Sequence, residues 1–254
     1  MKKLHILRNL SFVALASTVA CGAEPTDAEY DDLASALGAM AADDGASEAE
    51  LAADLASVAE GSAPPLLGRG GSGVYEGSRG ELAYRYAFAC FDATGQAVLD
   101  CARAVSAEVE VDVEGTVETA RRSGRFERAL ELTLTDLDRD VIVLDGTGRR
   151  SARARFSALR RTDERSWILD VTSVLEGVAF SRVDGQLRRG RITWEVLADR
   201  TRTTAFRTVE ASLDVTAVLE ITAPGEATLT LDGVRSYTVD LEEGQVSLRS
   251  PDAL

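Results

Sequence analysis

Histidine and lysine are almost missing from this chain. Its one histidine is His5 and its only lysines are Lys2 and Lys3, so every basic side chain from Arg8 onward is arginine. If the N-terminal stretch is removed, what remains has no imidazole and no lysine amine. That excludes Ser-His-Asp and Cys-His catalysis, histidine-ligated metals, Schiff-base lysines and a P-loop lysine. Carboxylate chemistry survives, as does binding without chemistry. Cysteine is scarce too, at three residues: Cys21, Cys90 and Cys101. Two cysteines without a histidine cannot complete a zinc site. Aromatic residues make up 6% of the chain, too few for the girdles of a membrane-spanning barrel.

What is present begins with an address. Lys2, Lys3 and Arg8 form a positive segment, and Leu10 to Ala20 form an apolar run that ends in small residues. The run is too short to span a bilayer, and the order is that of a secretory signal. The stretch Thr18-Val19-Ala20-Cys21 then resembles a bacterial lipobox, the site where signal peptidase II cuts and the cysteine receives acyl chains. The resemblance covers residues 1–22, and it departs at Thr18, where such signals usually carry Leu, Val or Ile. It implies a lipid anchor on Cys21. Gly22 follows, where an Asp can hold such proteins at the inner membrane, so the resemblance implies the outer membrane. The alternative is an ordinary signal cut at Ala20 or Ala23, which leaves Cys21 as a thiol and the protein secreted or periplasmic.

The net charge of −14 is unevenly spread. Residues 24–68 hold 11 acids and no Lys or Arg, whereas residues 69–254 hold 25 basic and 31 acidic groups. A chain of this balance is a poor partner for nucleic acid, whose binding depends on phosphate neutralisation. If Cys21 is acylated, Cys90 and Cys101 remain as a pair, and their spacing suits a loop closed by a disulfide in an oxidising compartment. Two reduced, buried cysteines are the alternative.

The acidic segment reads as a partly helical or disordered spacer. Thr26 with Glu29 fits a capping box ahead of Leu33, Leu37 and Met40, and Ser47 with Glu50 repeats it ahead of Leu51, Leu55 and Val58. Such helices would pack on the domain, bind a partner, or simply hold the domain off an anionic surface; the last is the favoured expectation. Ala63-Pro64-Pro65 and the glycine-rich run from Gly68 to Gly73 mark a joint.

From Val74 the apolar period becomes two. Val105 to Glu114 alternates valine or alanine with Ser106, Glu108, Glu110, Asp112 and Glu114, the pattern of an antiparallel strand with one wet face. Leu130, Leu132 and Leu134, then Trp167, Leu169 and Val171, then Ile192, Trp194 and Val196, and the run from Val209 to Ile221 repeat it. Gly115-Thr116, Ser123-Gly124 and three Asp-Gly pairs (145-146, 184-185, 232-233) punctuate the strands as turn signals. The expected fold is mainly β: an antiparallel meander of roughly ten to twelve strands in a curved or barrel-like sheet, with a two-sheet sandwich as the alternative. The expected organisation is a signal peptide over 1–20, an anchor and acidic spacer over 21–72, and a β-domain over 73–250.

No catalytic motif stands out, and no cofactor or metal is implied. Asp92, Thr94, Gly95 and Asp100 do not match an EF-hand and fit hairpin chemistry. Glu108, Glu110, Asp112 and Glu114 lie about 7 Å apart in successive pairs on one face, within the inverting-glycosidase range, but any half-wet strand shows the same alternation. Arginines gather near strand ends, including Arg121, Arg122, Arg160 and Arg161. They offer a face for anionic envelope polysaccharide or lipid headgroups, although cross-strand ion pairs account for most of them. Trp167 and Trp194 are expected in the core. The sequence therefore points to a membrane-anchored envelope lipoprotein with a non-catalytic structural or binding domain. The alternatives are a carrier of an apolar ligand inside the curved sheet, or a carboxylate-based glycan hydrolase.

Overall fold

The structure is a computed structural model that describes residues 25–41, 73–79, 81–118, 122–156, 164–203 and 208–249. The lipobox-like stretch with Cys21, the second helix expected from Ser47, and the joint around Pro64 and Pro65 lie outside the described residues. One helix, α1 (Asp27–Ala41), precedes twelve strands. These are β1 (Gly73–Arg79), β2 (Leu82–Phe91), β3 (Ala97–Val98), β4 (Ser106–Glu118), β5 (Arg122–Thr135) and β6 (Val141–Phe156). They continue as β7 (Glu164–Ser181), β8 (Leu187–Thr203), β9 (Thr208–Ala223), β10 (Glu226–Leu231), β11 (Arg235–Asp240) and β12 (Val246–Leu248).

All twelve belong to one antiparallel sheet whose strands pair in chain order, with only β3 set aside as a short partner of β2. The sheet is a curved meander, and among the described residues no ladder joins β1 to β12. The sandwich alternative does not apply, because the strands form a single sheet. Alternation decides which face is dry. Tyr84, Tyr86 and Phe88, Leu130, Leu132 and Leu134, and Ile192, Trp194 and Val196 all point to the inner face and are buried. Trp167 and Trp194 are both 2% exposed, as core residues should be.

Several glycine signals expected to end strands lie inside them. Gly115 and Gly124 sit within β4 and β5, and β6 continues unbroken through Asp145-Gly146. There the β6–β7 register shifts between Leu144 and Gly146, and β7 carries its own irregularity between Glu176 and Ala179. Asp145 accepts a hydrogen bond from the Gly177 amide at 2.7 Å, which locks the two bulges together. Gly177 has φ of 56°, a left-handed conformation that suits glycine at a bulge. Asp184-Gly185 and Asp232-Gly233 do occupy turns. The same dipeptide therefore serves a bulge in one place and hairpins in two others, because strand length is set by the partner ladder and not by the dipeptide alone.

Helix α1 lies against the inner face. Tyr30, Leu33, Ala34, Leu37 and Met40 are buried in the same core as the strand side chains. The favoured expectation of a solvated spacer does not hold over Asp27–Ala41. A narrow apolar stripe backed by alanine suffices here because the sheet curves around it. Burying Tyr30, Leu33, Leu37 and Met40 contributes on the order of 6–10 kcal/mol as an upper bound.

Candidate functional site

The polar seat of α1 is the most heavily engaged group of side chains among the described residues. Thr26 donates its amide and its hydroxyl to Glu29 Oε2, each at 2.9 Å, which closes the start of the helix. The other Glu29 oxygen, Oε1, accepts from Arg200 Nη2 at 3.0 Å, and Asp32 Oδ2 accepts from Arg200 Nη1 at 2.9 Å. Arg200 also stands 6.0 Å over the Trp167 ring. The Thr26 amide, with its hydroxyl and Arg200 assisting against burial, holds the Glu29 carboxyl below its ordinary range.

A second arginine anchors the adjoining side. Arg235 binds Asp27 at 2.7 Å and Asp31 at 2.9 Å, and Tyr237 donates its hydroxyl to Asp31 at 2.8 Å. Burial, followed by the bond to Asp31, raises the Tyr237 phenol above its ordinary value. Tyr30 donates to Asp232 at 2.8 Å, and Asp232 in turn accepts from the Thr216 amide at 2.8 Å. All four acids in the first half of α1 thus meet arginines of β8 and β11. Acidity that reads as solvation in the sequence is spent here on docking. The signal for it was present: Arg200 extends the inner period of Trp194, Val196 and Ala198. Its partner Asp32, however, is 168 residues away in the chain.

Beneath Met40 the packing is close. A void of about 10 Å³ bounded by Arg128, Leu130, Arg150, Val171 and Trp194 has room for no more than one water molecule. Arg128 and Arg150 face each other across β5 and β6 and are both buried. An interior chamber for an apolar ligand is absent among the described residues at this position, because α1 occupies the space.

The expected disulfide is present: Cys90 and Cys101 are joined, with Cα atoms 5.5 Å apart. The loop between them uses its acids internally. Asp92 Oδ1 accepts from the Thr94 hydroxyl at 2.7 Å, the Thr94 amide at 2.8 Å and the Gln96 amide at 3.0 Å. These bonds, the Thr94 hydroxyl first, lower the Asp92 pKa. Asp100 caps the 3-10 turn at Cys101–Arg103 by accepting from the Ala102 amide at 3.1 Å. Both acids are committed to the hairpin, and no group of three or more His, Cys, Asp or Glu among the described residues is placed to hold a metal ion.

Glu108, Glu110, Asp112 and Glu114 lie on the exposed face of β4. Two open grooves of about 580 and 530 Å³ cross that face over β1 to β6. Their floor is alanine on β2 and β5, and their walls are charged. Glu110 faces Glu131 and Glu114 faces Glu127 in the β4–β5 register. Arg125 lies 3.2 Å from Glu127 and 3.9 Å from Glu114, while Arg85 pairs with Asp112 at 3.3 Å. Exposed carboxylates bridged by arginine are the cross-strand pairs expected of a wet sheet face. They lack the half-buried environment that sets one glycosidase carboxyl apart from its partner.

No family model, curated protein or solved structure matches this chain. Its reading therefore rests on its own residues. No helix among the described residues is long and apolar enough to cross a membrane.

Proposed function

We propose that this chain is an exported lipoprotein, held at the outer membrane of a bacterial envelope by acyl chains on Cys21. Its β-domain is non-catalytic and serves a structural or binding role. The observation that carries the reading is the cysteine accounting. Cys90 and Cys101 are bonded to each other, so of the three cysteines Cys21, directly after a signal-like apolar run, is the one this pairing leaves over. A disulfide-closed hairpin suits an oxidising compartment. The lack of histidine and lysine beyond the signal supports a role without nucleophilic or metal chemistry. Two or more acyl chains give a stable tether where one gives only marginal binding.

The outer-face grooves are the places where an envelope polysaccharide would contact the domain. The apolar-carrier alternative gains no support from the close packing beneath Met40. Metabolic labelling with a radioactive fatty acid tests the anchor. Label should appear on the wild-type chain and disappear in Cys21→Ala. Absence of label on the wild type, or equal label on both, contradicts the proposal.

A further inference from the structure

The place where α1 enters the sheet bears on how the domain meets the membrane. Glu29 and Asp32 bind Arg200, which is three residues from the end of β8, whereas Met40 adjoins Val171, Ser173 and Trp194 further up β7 and β8. The N-terminus of α1 is therefore directed at the sheet end where β8 finishes and β9 begins. Cys21 precedes Asp27 by only six residues. Even fully extended, that length of chain reaches no more than about 20 Å.

Charge is sorted in the same direction. A meander sends alternate connections to opposite ends of its sheet. The connections β1–β2, β4–β5, β6–β7 and β8–β9 share the end to which α1 points. The connections β2–β4, β5–β6, β7–β8, β9–β10 and β11–β12 share the other end. The β10–β11 turn lies beside Thr216, partway along β9, and belongs to neither. Within four strand residues of each connection, the described side chains at the α1 end comprise five arginines (Arg85, Arg125, Arg153, Arg200 and Arg202) and three glutamates (Glu76, Glu81 and Glu210). The described residues at the opposite end comprise five arginines and 12 aspartates or glutamates. The four acids of α1 lie at the same end and are paired with Arg200 and Arg235, so that end is close to neutral. An anionic headgroup surface therefore repels the second end far more strongly than the first.

From these two observations we infer that the domain stands end-on against an anionic lipid surface. The end to which α1 points lies within reach of the short tether, and the acidic end points away. The acidic N-terminal sequence then does not act as a spacer over α1, because the helix is built into the domain. This orientation rests on the lipid-anchor reading above.

The test is energy transfer from acylated full-length protein in vesicles of phosphatidylcholine and phosphatidylglycerol that carry a headgroup dye. A small fluorescent amino acid replaces either Arg153, at the α1 end, or Asp138, at the acidic end. Strand β6 begins three residues after Asp138, and the stretch from Val141 to Arg153 extends over about 40 Å, so the two positions differ strongly in distance from the bilayer. Transfer should be efficient from position 153 and at least fivefold weaker from 138. A flexible insert of about 20 residues between Gly22 and Pro25 should erase that difference by freeing the domain. Protein that fails to stay on the vesicles would remove the anchor reading itself. Anchored protein with equal transfer from both positions, or stronger transfer from 138, would overturn the orientation alone.

Discussion

Arg200 shows how much one residue carries in this fold. Its side chain is 7% exposed and is shared between Glu29 and Asp32, themselves 19% and 10% exposed. Arg200→Met would remove the guanidinium that two neighbouring, largely buried carboxylates share. Removing one partner of such a group costs about 3–5 kcal/mol, which urea unfolding would register as a lower midpoint. Adding Glu29→Gln and Asp32→Asn should recover part of the loss, since neutral amides need no arginine. Gly38 is a second sensitive point. A Cβ there would run into Val246 and come within 3.3 Å of the Gly244 carbonyl. Gly38→Val should cost roughly 1–3 kcal/mol by forcing α1 off β12, although most exchanges of a helical glycine improve helix propensity. Neither site was legible as such in the sequence. The inward direction of Arg128 could be read from its step with Leu130, Leu132 and Leu134, but the acids that meet Arg200 and Arg235 come from a distant segment that periodicity cannot place.

Among the elements, α1 was legible as a helix and not as a core element. Its capping residues and the spacing of Leu33, Leu37 and Met40 gave the helix, while its alanine and acid content suggested water. The sheet resolved the conflict by supplying a curved apolar surface and two arginines. The attachment depends on pH in a definite direction. Glu29 has a folded pKa below its ordinary 4.5, so its contribution is fully present above that value and is lost as pH falls through the lowered one. The urea midpoint should fall between about pH 6 and about pH 3, and Glu29→Gln should flatten that fall. An unchanged slope in the variant would show that other carboxylates carry the acid sensitivity. The strands were legible through their period, and the bulges were not, because Asp145-Gly146 looks like a hairpin until its ladder to β5 is seen. The disulfide closes a loop with a sequence separation of 11. Replacing Cys90 and Cys101 with alanine should cost about 3 kcal/mol or less, and calorimetry would measure it as a lower Tm.

At the scale of the whole molecule, three properties fit a tethered envelope protein. The sheet presents a charged outer face, α1 packs against its inner face, and among the described residues the end away from the start of α1 is strongly acidic. A sequence without histidine or lysine past its first few residues narrows the chemistry further. The proposed anchor was legible in Thr18 to Cys21. The proposed orientation required the topology, because only the order of strands gathers the acids at the end away from the start of α1. The most direct measurement is the intact mass of the protein extracted from membranes. The account predicts a chain that begins at Cys21 and carries the added mass of a diacylglyceryl group, with or without a further acyl chain. A chain that begins at another residue and carries no lipid would contradict it.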